Sequence, residues 1–324
     1  GLGDVYKRQR EWKKGTHRKT GRAGKAGMTC TLCPRACGVN RTSAKGFCGA
    51  GERPAIARAA LHFWEEPSLS GTRGSGAIFF CGCNLDCLFC QNHEINHTMI
   101  GRTWNADELA ALMLHLQAEG AHNINLVTPT PHVDTVIPAV LGARKCGLMI
   151  PIVYNTNGYE TLDTLRRLEG IVDIYLPDLK YASSLAAERY SGAKDYFDFA
   201  SKAILEMHRQ CGELSCDENG LAQRGLIVRH LVLPGSVDET RHILDFLAKN
   251  LPLTTHISLM GQYMPCHHAS EVPPLNRHLL QREYDRAIAY CIQLGFENVS
   301  IQNLKAADPS YVPEFNGNVT FNEE

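Results

Sequence analysis

Three cysteines lie within eight residues in the segment Cys83-Asn-Leu-Asp-Cys87-Leu-Phe-Cys90, a C-x3-C-x2-C spacing. Thiolates are soft ligands that suit zinc and iron–sulfur centres. Three thiolates this close together can hold three corners of a cubane cluster and leave one iron without a protein ligand, so that a substrate or cofactor can bind there. A ferredoxin run, C-x2-C-x2-C-x3-C, supplies cysteine to every iron instead. The triplet therefore favours cluster-based catalysis over electron carriage.

A second group of four cysteines lies upstream, within 19 residues, at Cys30, Cys33, Cys37 and Cys48. A lone cysteine usually packs as a small buried hydrophobe, but four so close together rarely all do so. Their spacing indicates either structural zinc or an auxiliary 4Fe–4S cluster. A module this small needs such a metal to fold. The remaining six of the thirteen cysteines, Cys81 included, are expected to be buried or incidental.

Strand-like and helix-like segments alternate from residue 76 onwards, which predicts a parallel sheet with right-handed crossovers. The first strand-like run, 76–81, leads directly into the cysteine triplet, and the first helical pattern follows at 106–119. Further strands are predicted at 124–128, 151–155, 171–176, 226–233, 256–260 and 299–301. Further helices are predicted at about 133–146, 161–169, 195–211, 238–250 and 279–294.

This alternation predicts an α/β fold, an incomplete parallel (β/α)6 TIM-like barrel with a small N-terminal cysteine-rich metal-binding module. An open doubly wound sheet remains an alternative, because periodicity does not show whether a sheet curls. We expect a basic leader at 1–27, the cysteine-rich module at 28–70, a catalytic core at 71–305 and a C-terminal tail at 306–324.

The chain has 324 residues, a formal net charge of −1, 44% hydrophobic residues and 21% charged residues, which argues against a disordered or strongly basic nucleic-acid-binding protein. Residues 1–27 hold nine of the 33 Lys and Arg but two of the 34 Asp and Glu, which leaves 24 basic and 32 acidic residues in the body. The stretch 4–9, DVYKRQ, resembles the translation of a sequencing-library transposon end. Met28 is therefore expected to be the natural start, after a non-native or disordered leader.

The composition also bears on partners and location. No uncharged apolar run approaches the roughly 18 residues of a membrane span. The basic leader lacks the apolar region of a signal peptide. We therefore expect a cytoplasmic protein with neither a nucleic acid nor a membrane as its partner.

The triplet at the end of the first strand resembles the radical S-adenosylmethionine (SAM) superfamily. The sequence GSGAIFFCGCNL at 74–85 is similar to the pyruvate formate-lyase activating enzyme group, and CTLCPRAC at 30–37 to a branch of it that begins with C-x-L-C-P-R-x-C. The resemblance covers roughly residues 28–305. It implies a 4Fe–4S cluster on Cys83, Cys87 and Cys90 with SAM on the fourth iron. One electron then cleaves SAM to methionine and a 5′-deoxyadenosyl radical, which abstracts hydrogen from a substrate.

Polar residues at the predicted strand ends fit an active site, because parallel α/β barrels build theirs at the C-terminal ends of strands. The resemblance implies that Phe89 packs near the adenine, that Lys180 pairs with the SAM carboxylate, and that Arg229 lies near that carboxylate or the ribose. It also implies a monovalent-cation site formed by Asn155, Thr156 and Asp178. Asn155 replaces the aspartate of the activating enzymes, which lowers the negative charge there.

One segment departs from the family. Thr128-Pro-Thr-Pro-His132 stands where many radical SAM enzymes have the Gly-Gly-Glu that holds the SAM ammonium group. The Thr128 and Thr130 hydroxyls or backbone carbonyls are therefore expected to receive it, and His132 is expected to cap a helix or face solvent. Residues 260–268, which include Cys266, are interpreted as a substrate-side loop.

The sequence is compatible with two functions. A radical SAM enzyme is the first, with a glycyl-radical enzyme as the substrate that the resemblance implies and flavodoxin or ferredoxin as reductant. The second is a non-enzymatic zinc or iron–sulfur protein, either structural or an electron carrier. Charged residues on otherwise apolar strands, Asp178, Lys180 and Arg229, favour the enzyme, because buried charges need partners.

Overall fold

A computed structural model describes residues 29–304, 313–317 and 319. The predicted leader, Met28 and most of the predicted tail lie outside the described residues. Nine strands of the described part form one sheet. In chain order they are β1 (Ile56–His62), β2 (Ser75–Phe80), β3 (Ile124–Val127), β4 (Ile152–Thr156), β5 (Ile174–Pro177), β6 (Ser215–Cys216), β7 (Ala222–Leu231), β8 (His256–Met260) and β9 (Val299–Ile301).

The sheet is mostly parallel, as the alternating pattern predicted. Strands β2, β3, β4, β5, β7, β8 and β9 run parallel in that order. The antiparallel strand β1 extends the β2 edge, and the short β6 pairs antiparallel with β7. Strands β2 to β5 are buried along their whole length, because helices cover a parallel sheet on its outer face.

Helices separate the parallel strands. They are α1 (Pro67–Ser70), α2 (His93–Asn96), α3 (Ala106–Ala118), α4 (Val133–Lys145), α5 (Leu162–Arg167), α6 (Ser184–Ser191), α7 (Tyr196–Cys211), α8 (Val237–Asn250) and α9 (Gln281–Gln293). Helix α3 begins where it does because Asn105 and Glu108 form a capping box, in which each side chain accepts from the backbone N–H of the other. No helix in the described part is both long and apolar enough to cross a bilayer.

The sheet curls around a cavity of about 370 Å³. Phe79 on β2 and Met260 on β8 both line this cavity. In a flat sheet the five inter-strand steps between them, of about 4.8 Å each, would place these strands roughly 24 Å apart. This arrangement fits an incomplete barrel better than the open doubly wound alternative.

Two strands were not part of the predicted sixfold unit. Strand β9, which the sequence predicted at 299–301, makes a seventh parallel strand, one more than the (β/α)6 description counts. Strand β1 falls within the predicted module 28–70, yet it pairs with β2 from Ile56 opposite Phe80 to His62 opposite Ser75. The segment that carries the four upstream cysteines, 29–55, contains no helix or regular strand.

A buried carboxylate connects two loops at the mouth of the barrel. Glu160 follows β4 and is 1% exposed. Its Oε1 accepts hydrogen bonds from the hydroxyls of Thr130, in the loop after β3, and Thr156, at the end of β4, the latter at 2.6 Å. Its Oε2 is buried with no partner among the described residues. Burial raises the pKa of Glu160 to about 7, although the hydroxyl donors oppose this shift.

This raised pKa predicts a pH-dependent stability. The ordinary carboxyl pKa is 4.5, so the folded protein holds an extra proton between about pH 4.5 and 7 and loses stability as the pH rises through this interval. Glu160→Gln cannot ionise. Its free energy of unfolding, relative to wild type, should rise by about 2 kcal/mol between pH 5 and pH 8. Any constant cost of the amide cancels in this difference.

Urea denaturation of the metal-free protein at the two pH values measures the effect. The exposed Glu188 provides the matched control, because Glu188→Gln should behave as wild type at both. Equal pH dependence of Glu160→Gln and wild type would show that Glu160 is already ionised in the folded protein at pH 5.

Candidate functional site

The cavity of the barrel collects the side chains that the sequence singled out in and around the triplet and at the strand ends. Ten of the eleven residues predicted to bind the cluster, SAM or the cation, all but Thr130, line it: Cys83, Cys87, Phe89, Cys90, Thr128, Asn155, Thr156, Asp178, Lys180 and Arg229. They come from the loop after β2 and from the ends of β3, β4, β5 and β7, because the carboxyl ends of parallel strands meet at one edge. Among the described residues, no other cysteine lines this cavity.

The sulfur atoms of the triplet receive hydrogen bonds from the protein. The Asn157 amide donates to Cys83 Sγ at 3.3 Å, and the Ser191 hydroxyl donates to Cys87 Sγ at 2.9 Å. Such donors stabilise negative charge on sulfur. Burial alone has the opposite effect and raises the pKa of the Cys83 thiol to about 12. A bound metal supplies the positive charge that makes a buried thiol ionise, so this donor set fits an iron–sulfur cluster.

Buried amide groups hold the triplet loop in place. The Asn84 amide donates to the carbonyl of Tyr159 at 2.6 Å, and the Asn96 amide donates to that of Leu85 at 3.2 Å. The thiol of Cys266, in the loop predicted to face the substrate, donates to the carbonyl of Phe89 at 3.3 Å. Loop 260–268 therefore packs directly on the triplet loop.

A network of charged side chains forms another part of the cavity wall. Lys180 Nζ lies 2.7 Å from Asp178 Oδ2, and Arg229 Nε lies 3.0 Å from Asp178 Oδ1, with all three side chains about 15% exposed. Burial favours the neutral carboxyl, but the two cations prevail and hold the pKa of Asp178 below its usual value. The network can therefore accept an anionic ligand group, since its two cations share one fully ionised carboxylate.

The side-chain oxygens predicted to bind a monovalent cation already have hydrogen-bond partners in the protein. Those of Asn155 and Asp178 accept hydrogen bonds, and the hydroxyl of Thr156 donates one. Arg229 Nη2 donates to Asn155 Oδ1 at 2.6 Å, Asp178 is bridged as described, and the Thr156 hydroxyl donates to Glu160. The cation site stays a prediction.

Glu65 is a cavity residue that the sequence reasoning missed. It follows β1, and its side chain is 10% exposed. It accepts from the Asn125 amide at 2.8 Å and lies 3.4 Å from Arg229 Nη1. Burial raises the pKa of Glu65 to about 7 in spite of this arginine. The only signal in the sequence was the acidic pair at 65–66, which follows an apolar run. No strand was predicted for that run, so nothing indicated that the pair lies near the predicted sheet.

The threonine-rich segment after β3 is divided between two roles. Thr128 lines the cavity with a φ of +59°, and its N–H donates to the Asn155 carbonyl at 2.9 Å. Thr130 is buried against Glu160 instead.

His132 is 2% exposed and bonds through Nε2 to the Cys81 carbonyl at 2.7 Å, and burial lowers its pKa to about 3. His132 does stand at the N-cap position of α4, as one expectation had it, but its side chain makes no capping hydrogen bond, and the expectation of a solvated histidine was wrong.

The four upstream cysteines line one small cavity of their own, together with Arg35 and Arg41. Burial raises the pKa of Cys48, and the charge of Arg41 opposes this shift. The His, Cys, Asp and Glu side chains of the described part form no group of three arranged to hold a single metal ion. This finding applies equally to both cysteine sets, and their metal binding stays a prediction. Cys81 is buried, and its thiol donates to the Ile100 carbonyl at 3.7 Å, outside both cavities.

Two solved structures have a similar shape at low sequence identity. A domain of pyruvate-formate lyase-activating enzyme from Bacteroides vulgatus is 14% identical with a TM-score of 0.42, over 56% of this chain and 100% of that domain. SuiB from Streptococcus suis is 16% identical with a TM-score of 0.45, over 74% of this chain and 51% of SuiB.

Comparison of amino-acid sequences identifies the family, which the similar structures do not. An uncharacterized protein of Methanocaldococcus jannaschii is 35% identical over 269 residues, which cover 80% of this chain and 73% of that protein. Residues 77–247 match the Radical SAM superfamily. This range contains the cysteine triplet and every predicted SAM-binding residue of the cavity. The resemblance to the radical SAM superfamily is thereby confirmed, and the chain belongs to that superfamily.

Proposed function

We propose that the protein is an enzyme that holds a 4Fe–4S cluster on Cys83, Cys87 and Cys90 and uses it with SAM to abstract hydrogen from a substrate. The observation that carries this proposal is that the three thiols open onto the same cavity as Asp178 and its two cations. When bound and reduced by one electron, the cluster supplies the cleavage of SAM to methionine and a 5′-deoxyadenosyl radical. Family membership supports both cofactors.

The chain's own residues bind and orient SAM. Lys180 and Arg229 offer N–H groups to its carboxylate. Their two positive charges exceed the single negative charge of Asp178, and one positive charge remains for that ligand when the neighbouring Glu65 is protonated. Phe89 presents its ring to the cavity beside the adenine position, held by an edge contact with Tyr263 at 5.8 Å between ring centres. The backbone around Thr128, in its left-handed conformation, faces the ammonium group.

The buried charges favour this function over a structural zinc or electron-carrier protein. Three charged side chains inside a barrel lose their hydration, and replacing such groups with apolar ones often leaves a protein equally stable. A protein whose cysteines only hold a metal gains nothing from a charged cavity beside them. A ligand with its own charged groups explains why the network is there.

The substrate and the reductant follow from the sequence resemblance. We propose a glycyl-radical enzyme as the first substrate to test, because residues 74–85 resemble the activating enzymes of that class. Flavodoxin or ferredoxin is the proposed electron donor, and the proposed location is the cytoplasm.

Alanine substitution of the triplet tests the cluster. Cys83→Ala, Cys87→Ala and Cys90→Ala should each lose the cluster of the central cavity after anaerobic reconstitution, because two thiolates cannot hold a cubane against exchange. The wild-type cluster, once reduced, should change its EPR spectrum on addition of SAM, and the variants should show no such change. Cys216 is exposed and lies outside the cavity, so Cys216→Ala should match wild type. A SAM-dependent EPR change that survives all three substitutions would contradict the assignment.

Lys180→Gln tests the SAM carboxylate contact. Loss of one charge-assisted hydrogen bond should weaken SAM binding about tenfold while the cluster is retained. Anaerobic equilibrium dialysis with SAM measures the affinity, and the exposed Lys202→Gln serves as the control. Unchanged affinity in Lys180→Gln would place the carboxylate elsewhere.

A further inference from the structure

Two arginines of the cysteine-rich segment carry buried nitrogen atoms without hydrogen-bond partners. These atoms are Nη2 of Arg35 and both Nε and Nη2 of Arg41. Neither arginine forms an ion pair with an Asp or Glu within the described ranges. A buried charged donor without an acceptor costs several kcal/mol, so a fold retains one only where something compensates the charge.

Both arginines surround the same thiols. They line the small cavity that Cys30, Cys33, Cys37 and Cys48 also line, together with Phe47, whose ring centre lies 3.9 Å from the Arg35 guanidinium carbon. The cavity therefore brings four sulfur atoms and two guanidinium groups together with no carboxylate among its lining residues.

We propose that Cys30, Cys33, Cys37 and Cys48 bind one metal centre as thiolates, and that Arg35 and Arg41 neutralise its negative charge. Four thiolates around a divalent ion such as zinc leave a net charge of about −2, and a cubane on four thiolates is likewise anionic. Two guanidinium groups match this charge, and the unpaired N–H groups of Arg41, whose charge already acts on Cys48, donate to the sulfur atoms. Metal binding draws the thiols together from their positions around the cavity.

The same arginines connect this centre to the radical SAM site. Arg35 Nε donates to the carbonyl of Asn84 at 2.9 Å, directly after the ligand Cys83. Arg41 donates to the carbonyl of Pro131, in the loop after β3. Each guanidinium thus bonds to a loop at the mouth of the barrel, and each arginine also lines the cavity of the four thiols. The centre is a positioning element for both loops.

The experiment isolates the upstream centre by using the full chain with Cys83, Cys87 and Cys90 replaced by alanine. This protein is loaded separately with zinc and with iron plus sulfide, and metal content is measured after desalting. We expect one zinc ion or one cluster per chain, and further replacement of Cys37 by serine should abolish it. Release to a chelator should be at least about tenfold faster in Arg41→Gln and in Arg35→Gln, because outer contacts to a metal ligand are worth this much.

Conservative variants separate charge from packing. Arg41→Lys keeps the charge and should restore slow release, whereas Arg282→Gln, an exposed arginine, should match the parent. Absence of both metals from the triplet-alanine protein overturns the proposal. So does a release rate that Arg35→Gln and Arg41→Gln leave unchanged. If the variants do not fold, X-ray absorption of the metal-loaded triplet-alanine protein decides, and any ligand set other than four sulfurs contradicts the site. None of these results depends on SAM cleavage.

Discussion

The carboxylate of Asp178, held between Lys180 and Arg229, is the interaction on which the rest of the site depends. A buried carboxylate requires positive partners, and these partners come from two different strand ends. Strands β5 and β7 must therefore end side by side, and the backbone follows the same requirement. The N–H of Leu179 donates to the Arg229 carbonyl at 2.8 Å, and the Asp178 N–H donates to the Thr156 carbonyl at 2.9 Å. The charge cluster thus aligns three strand ends around one cavity.

The glycine after β4 shows how closely the neighbouring backbone approaches this aspartate. Gly158 has a φ of +81°, and a Cβ there would collide with the Asp178 carbonyl. The Tyr196 hydroxyl, on α7, donates to that carbonyl at 2.9 Å. Asn157, one residue earlier, turns its amide onto Cys83. One tight turn therefore connects the charge network with the cysteine triplet, which explains why the Asn-Thr-Asn-Gly sequence matters for both halves of the site.

Much of this arrangement could be predicted from the sequence. The triplet and the strand-end residues were visible because their chemistry is local, and the barrel's geometry then brings strand ends together. Glu65 and Glu160 could not be found in this way. Glu65 reaches the cavity only because β1 pairs antiparallel at the sheet edge, and the burial of Glu160 depends on hydroxyls from two separate loops. The burial of the His132 side chain was missed for the same reason, since its partner, the Cys81 carbonyl, is 51 residues away.

The central claim is that the triplet and the charged wall act together on SAM. The most direct measurement is the amount of 5′-deoxyadenosine formed when the anaerobic, iron-reconstituted protein is reduced in the presence of SAM. The structure predicts that the nucleoside accumulates in the wild-type protein and that substitution of any one triplet cysteine abolishes it. A fully reconstituted and reduced protein that forms none, with all three cysteines intact, would contradict the claim.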